Sequence, residues 1–430
     1  MKYVLEVFYN LESYHIRGGN PISGEYKVNG AKNAALPILA ASIVTNDENL
    51  FTGCPRISDA AIMGEILRSL GCRTEENGGC VLVDTAGLIE YEVPSALMEK
   101  MRSSIFLVGP LLTRCGKAVI SQPGGCAIGK RPIDIHIKAL SQLGVSMKED
   151  GQKLEFTGNQ MTGTNIILDF PSVGATENVI LAALGAKGET VIHNSAREPE
   201  IMDLQTYLNG CGAQIKGAGT SQITIKGGLP LHGSQHSIMG DRIEAGTFLM
   251  AAAGTGGELL VKGIESGALR SLVKYLKHAG CKVRREPHEI WLKGPERLCG
   301  VGKVQTGPYP DFATDLQPQF TTIMTAAEGK SRIIETIFEN RFKYTQQLIK
   351  MGADIEILQR VAIIEGVEFL EGSCVAAEDL RGGAALVLAG LMAQGETIVQ
   401  NVHYIERGYC DLHGELKKLG GDIGKHYEKT

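Results

Sequence analysis

The segment QPGGCAIGKRPID, residues 122–134, holds the side chains best suited to chemistry: Cys126 in its middle, with Lys130 and Arg131 close behind. Positive neighbours lower a thiol pKa and raise its thiolate fraction. The same cations would draw an anionic substrate toward the sulfur. Pro123, Gly124, Gly125, Gly129 and Pro132 make the stretch a poor strand and a poor helix, so it reads as a loop of hinge-like composition. Cys115, in LLTRCGKAV, also has Arg114 and Lys117 nearby, but it falls at a turn inside a regular pattern. Most of the ten cysteines read as small buried hydrophobes. They include no C-x-x-C pair and no Cys/His cluster with zinc spacing, so the sequence predicts free thiols in a reducing compartment and no metal site.

A second set of charges recurs. The segments PRISDAAI, KRPIDIHI, AREPEIMD, FENRFKYT and IERGYCDL place Arg56, Arg131, Arg197, Arg341 and Arg407 at or just before the start of an expected helix. A helix N-terminus carries partial positive charge and normally prefers acids there. Two readings fit. Either nearby acids (Asp59, Asp134, Glu198, Glu200, Glu406) satisfy each arginine, or the arginines converge on an anionic ligand. Five at one repeat position favour the ligand, because helix N-termini plus Arg suit phosphate and carboxylate. The loops before a different set of helices add Lys32, Arg102, Ser172, Asp241, Asp315, Asp379 and Arg381.

The elements that must position these groups repeat along the chain. A helix ending in Gly and running into a strand appears six times, as ILRSLGCRTE, ALSQLGVSMKE, YLNGCGAQIKG, YLKHAGCKVRRE, LIKMGADIEI and LKKLGGDIGK, closing on Gly71, Gly144, Gly212, Gly280, Gly352 and Gly420. Between these lie six small-residue helices that run through a turn into an apolar strand, among them KNAALPILAASIV, GTFLMAAAGTGGELLV and AALVLAGLMAQGETIV. Six βαβαββ units would group three plus three around two helix-filled cores, or stack as a short open solenoid. The lack of a polar capping repeat favours two closed domains. If the helices of each domain are parallel, their N-termini would face a common cleft suited to a substrate with several negative charges.

Bulk properties restrict the setting. The chain has 430 residues, 43% hydrophobic and 21% charged, which is enough for two ordinary cores. A formal net charge of −5 gives no general attraction to nucleic acid or an anionic membrane. The opening MKYVLEVFYNLESYH lacks the apolar stretch of a signal peptide, and nothing later offers a membrane span, so a cytoplasmic protein is expected.

NGAKNAALP, PGGCAIGKRPID, SVGATEN, DRIEAGTF, TDLQPQF, FENRF, DLRGGAALVLAGL and ERGY occur in this order, and together they resemble the UDP-N-acetylglucosamine enolpyruvyl transferases from about Tyr14 to about Ile423. The resemblance implies an α/β fold, a two-domain inside-out α/β barrel of six βαβαββ repeats, three per domain. It places 1–30 plus 241–430 in one discontinuous domain and 31–240 in an inserted one. The implied reaction moves the enolpyruvyl group of phosphoenolpyruvate to the 3′-hydroxyl of UDP-N-acetylglucosamine, for peptidoglycan synthesis, with no cofactor and no metal. By motif, Lys32, Arg131 and Arg407 would bind phosphoenolpyruvate. Cys126 would be the acid and the site of fosfomycin alkylation, and Asp315 the base or proton relay. Asn33, Arg102, Ser172, Val173, Gly174, Glu198, Ile337, Asp379 and Arg381 would line the nucleotide-sugar region.

Two positions depart from the family's pattern. Phe170 and Pro171 precede SVGAT where a cation is common, and Phe106 stands where a Trp sometimes follows the MRSSI segment. Sister enzymes acting on shikimate 3-phosphate share the fold and the Lys and Arg set but lack the P-G-G-C loop. A catalytically silent UDP-sugar-binding paralogue is the other alternative. The partners implied are the two small substrates, with no nucleic acid and no membrane; the oligomeric state is left open.

Overall fold

The computed structural model describes residues 11–101, 104–121 and 133–428. One local plan recurs through them. Strand Asn165–Ile167 runs parallel to Glu189–His193, a pairing that demands a crossover, and helix Val173–Ala183 supplies it. Helix Pro199–Gly210 then returns the chain to Gln214–Lys216 and Gln222–Lys226, which add antiparallel strands. The result is a four-stranded sheet made by a βαβαββ unit. Four more sheets have the same order of pairings, and a sixth has three strands. In that sixth unit the first strand is reduced to a single parallel bridge, Glu92 with Val119.

The recurring glycines end the second helices as the left-handed backbone requires. Gly71, Gly144, Gly212, Gly280, Gly352 and Gly420 all have φ between 88° and 102°, a region costly for a residue with a Cβ. Each lets the chain reverse from helix into strand within about two residues.

The chain divides into two compact units. One takes in Arg242–Gly307, the described residues up to Val28 and those from Phe312 onward; the other takes in Asn29–Asp241 with Pro308–Asp311. The insertion falls inside a repeat. Strand Gly24–Lys27 pairs in parallel with Glu258–Lys262, although its crossover helix Arg242–Gly254 follows only after the whole inserted unit. Correspondingly, Gln235–Ser237, late in the inserted unit, is the parallel neighbour of the early strand Glu48–Thr52.

Each unit has its own core, and in each the first helices of three repeats are at the centre. These are Lys32–Ala41, Val108–Cys115 and Val173–Ala183 in one unit. In the other they are Arg242–Gly254, Gln317–Met324 and Leu380–Met392. They are apolar nearly all round, with every residue of 242–253 buried, because sheets and sister helices enclose them on all sides. The sheets lie outside and bury alternate residues, as in Glu189–His193. The small residues keep the helices close: a Cβ on Gly246 would lie 2.7 Å from Leu316 Cδ2. Among the described residues no helix is long and apolar enough to cross a membrane.

Candidate active site

In the inserted unit, helix Lys32–Ala41 starts without a side-chain cap from its own preceding residue. The Lys32 N–H instead donates to Asp241 Oδ2 at 3.1 Å. The Lys32 ammonium lies 2.7 Å from Asp59 Oδ2, and Asp59 is fully buried. One carboxylate therefore holds the backbone of this lysine and another its charged head. Removing one partner of such a buried pair costs about 3–5 kcal/mol. Asp59 sits in the first turn of Ser58–Ser69, where the helix dipole favours an acid. Of the two readings of the arginines, pairing with neighbouring acids fails for Arg56, because Asp59 turns to the buried face and takes Lys32. Arg56 and Arg197 are exposed and make no ion pair among the described residues. Asn33 follows Lys32 in the first turn and is half-buried.

Helix Val173–Ala183 begins at Ser172, whose Oγ accepts the Ala175 N–H at 3.3 Å and whose carbonyl accepts that of Thr176 at 3.0 Å. Gly174 lies against the ring of buried His136, on the helix Asp134–Gln142 that follows residues 122–132. His136 Nδ1 is 3.1 Å from Asn178 Nδ2. Burial pushes this imidazole down to about 4, with Asp134 opposing weakly, so it is neutral near pH 7. Glu198 precedes helix Pro199–Gly210, is buried, and accepts the Tyr309 N–H at 3.4 Å. Burial, then the nearby Glu200 and Glu198, hold the Glu177 carboxyl well above the usual carboxylate range. Phe170 is 39% exposed, whereas Phe106 is buried. Arg102, Cys126, Lys130 and Arg131 lie outside the described residues.

In the other unit Asp315 is the centre of a charge network. Its Oδ1 is 3.0 Å from Arg341 Nη2 and its Oδ2 3.2 Å from Arg381 Nη2. Both guanidiniums are buried, at 2% and 3% exposure, while the Asp315 side chain is 27% exposed. Arg341 also donates from Nε and Nη2 to the Thr314 carbonyl, at 3.3 and 3.1 Å. Buried Glu335 accepts the N–H groups of Ile337 and Phe338 at 2.8 and 3.1 Å and the Thr314 hydroxyl at 3.0 Å. Ile337 is thus tied to the segment bearing Asp315. Asp379 caps helix Leu380–Met392, its Oδ1 accepting the Arg381 and Gly382 N–H groups at 3.0 Å each.

Two arginines sit further from their helices than the sequence suggested. Arg341 lies in a turn ahead of Thr345–Lys350, and half-buried Arg407 ends the 3-10 stretch Val402–Arg407 ahead of Leu412–Lys418. Extra residues form a turn between cation and helix in both places. Glu406, expected as a partner for its neighbouring arginine, pairs with Lys425 at 2.5 Å. Sequence reasoning also missed Glu335 and His136 as organising residues, and Asp59 as the partner of Lys32. The acids in first helical turns were the available signal for Asp59.

The inserted unit offers an oriented cation and a helix start with N–H donors, and the other unit, by itself, a carboxylate steered by two guanidiniums. The first set suits binding of anionic groups, and the second suits proton transfer. The family described as EPSP synthase (3-phosphoshikimate 1-carboxyvinyltransferase) matches residues 16–416. A UDP-N-acetylglucosamine 1-carboxyvinyltransferase 2 of Caldanaerobacter subterraneus subsp. tengcongensis is 48% identical over 410 residues, covering 95% of this chain and 98% of its own. A UDP-N-acetylglucosamine 1-carboxyvinyltransferase 1 of Symbiobacterium thermophilum is 47% identical over 420 residues, 96% of this chain and 95% of its own. Among solved structures, the enolpyruvyl transferase NikO from Streptomyces tendae superposes with a TM-score of 0.87 at 25% identity, over 98% of this chain and 100% of its own.

Proposed function

Since the chain belongs to the EPSP synthase family, and nearly its full length matches UDP-N-acetylglucosamine 1-carboxyvinyltransferases, we infer that it transfers the enolpyruvyl group of phosphoenolpyruvate to UDP-N-acetylglucosamine. It is a transferase of peptidoglycan synthesis. The 3′-hydroxyl of the sugar adds to C2 of phosphoenolpyruvate while C3 takes a proton, and the tetrahedral intermediate then expels phosphate. The step needs a base for the hydroxyl, an acid for C3 and cations for phosphate and carboxylate.

Cys126 is the proposed acid, and Asp315 the proposed base or proton relay. Lys32, Arg131 and Arg407 are assigned to phosphoenolpyruvate. Asn33, Arg102, Ser172, Val173, Gly174, Glu198, Ile337, Asp379 and Arg381 are assigned to the nucleotide-sugar region. The observation that carries the reading is the Asp315 carboxylate, each oxygen on a buried guanidinium, because it supplies an oriented proton acceptor at the start of an inner helix. Cys115 supports the choice of Cys126 from the other direction. Burial raises its thiol in spite of Arg114, which makes it a poor proton-transfer group. The cytoplasm is the proposed setting of the reaction.

Phosphate release with each acceptor tests the reading. Release is expected with UDP-N-acetylglucosamine, to be abolished by fosfomycin and by Cys126→Ser but not by Cys115→Ser. Release with shikimate 3-phosphate alone, or binding of the UDP-sugar with no release at all, would overturn it.

A further inference from the structure

The segment that carries Arg407 is held from behind by two strands. Val402 and Ile405 are buried and fix one side of the 3-10 stretch Val402–Arg407. Between Ile405 and Arg407 stands Glu406, an acid next in sequence to a cation assigned to an anionic substrate. Left to itself, that carboxylate would compete with the substrate for the guanidinium. It is engaged elsewhere. Glu406 Oε1 accepts from Lys425 Nζ at 2.5 Å and from the Tyr14 hydroxyl at 3.5 Å. The same Lys425 Nζ lies 2.8 Å from Glu12 Oε2.

Lys425 is unusual for its place. Strand Asp422–Glu428 is at the edge of its sheet and pairs with Leu11–Arg17. The register sets Lys425 opposite Tyr14, and Ile423 opposite Ile16. Opposed residues share a face, and Tyr14, Ile16 and Ile423 are all buried, so Lys425 points inward with them. Its side chain is 14% exposed. An inward charge on an edge strand can simply discourage pairing with another chain. That role needs no particular partner, whereas this lysine bridges two acids, one on the neighbouring strand and one beside Arg407. Burial alone would lower its pKa, but hydrogen bonds to Glu12 and Glu406 hold the ammonium above the usual lysine range, so it stays charged.

We propose that Lys425 is a positioning residue for the transferase reaction: it holds the Glu406 carboxylate and so keeps it from competing with phosphoenolpyruvate for the Arg407 guanidinium. The proposal rests on the transferase reading above, with its assignment of Arg407, and deepens it. Lys425 also offsets the charge of two carboxylates that would otherwise weaken the positive potential around Arg407.

Steady-state phosphate release at saturating UDP-N-acetylglucosamine tests this in wild type, Lys425→Met, Lys425→Arg and the double variant Lys425→Met/Glu406→Gln. Lys425→Met frees the carboxylate. It is expected to raise the KM for phosphoenolpyruvate roughly tenfold, between the effect of an exposed ion pair and that of a hydrogen bond to a charged group, with kcat within about twofold. Lys425→Arg should stay near wild type. The double variant separates positioning from support of the fold. It lacks the ion pair just as Lys425→Met does, yet its KM should return to within about threefold of wild type, because no carboxylate is left to compete. An unchanged KM in Lys425→Met overturns the proposal, and so does a double variant whose KM stays as high as that of Lys425→Met. If Lys425→Met folds poorly, Lys425→Gln takes its place, since it keeps a donor between the acids without the charge, and the same two outcomes decide. A wild type that releases no phosphate with UDP-N-acetylglucosamine removes the transferase reading itself, whatever the variants do.

Discussion

Helices Val173–Ala183 and Leu380–Met392 occupy the same place in their repeats, yet their starts are finished in opposite ways. The first has a neutral cap: Ser172 takes the Ala175 N–H and, among the described residues, leaves those of Val173 and Gly174 open beside a neutral imidazole. The second has a charged cap: Asp379 takes the N–H groups of Arg381 and Gly382 and offsets the helix dipole with its own carboxylate. Positive character then comes from side chains, as Arg381 and Arg341 meet on Asp315. An open start can receive an anion from outside. A closed start is free to serve as a rigid base for a charge network. The fold repeats the geometry, and the cap residue decides which use follows.

The largest effect should come from the network at the closed start. Asp315→Asn removes the carboxylate while keeping its shape and one acceptor. It is expected to lower kcat by about 10²- to 10⁴-fold, the range of a lost acid–base group. Thermal melting should change far less than Asp315→Ala, which leaves both guanidiniums without their carboxylate partner. A kcat within a few-fold of wild type would show that the network only supports the fold, and would erase the contrast between the two starts.

Next is the pH dependence at the open start. The folded imidazole of His136 lies at about 4, below its ordinary 6.5, so the unfolded chain binds the proton more readily. Its contribution to stability is present above pH 6.5 and is lost as pH falls toward 4. The difference amounts to roughly 3 kcal/mol at the acid end. Denaturant unfolding of wild type and His136→Gln should therefore give a constant stability difference above about pH 6.5, with the wild type losing ground below it. A difference unchanged down to pH 4 would mean that His136 is not held neutral by burial.

Much of this contrast was legible in the sequence, though not evenly. The six terminal glycines and the small-residue helices gave the repeat, because a positive φ and a close helix approach each demand a residue type. Lys32, Asp315 and Arg381 stood out as charges in loops before inner helices. Which residue each of them pairs with did not. Asp59 reads as a routine first-turn acid next to Arg56, and only the burial of its face assigns it to Lys32. Glu335 and His136 lie in strand-end and helix segments with no local signal, since their importance comes from contacts with Thr314 and Asn178, distant in the chain. Periodicity records which face is buried; it does not record which charges meet there.

A smaller effect is expected from opening the closed start. Asp379→Ala releases two backbone N–H groups and should cost about 1–2 kcal/mol of stability, the upper range for a lost cap. Because Asp379 also orients the residue that bears the Arg381 guanidinium, the KM for UDP-N-acetylglucosamine should rise with kcat lowered less. Asp379→Ser should restore most of the stability, as Ser caps nearly as well. An Asp379→Ala protein as stable as wild type in urea would mean that the carboxylate does not cap in solution.

The smallest change in stability comes from closing the open start. Ser172→Asp makes the helix at 173 imitate the one at 380. Asp and Ser are comparable caps, and an acid at a helix N-terminus gains about 0.3–1 kcal/mol from the dipole, so the melting temperature should hold or rise slightly. The new carboxylate would claim N–H groups at positions assigned to the nucleotide-sugar and would repel its phosphates as well. Affinity for UDP should fall by more than tenfold while uridine is little affected, and added salt should recover part of the loss by screening the exposed charge. A variant that gains stability and loses UDP shows that the two starts differ by a cap alone. One that keeps UDP affinity shows that the phosphate is held elsewhere, and the distinction between open and closed starts then has no bearing on the nucleotide.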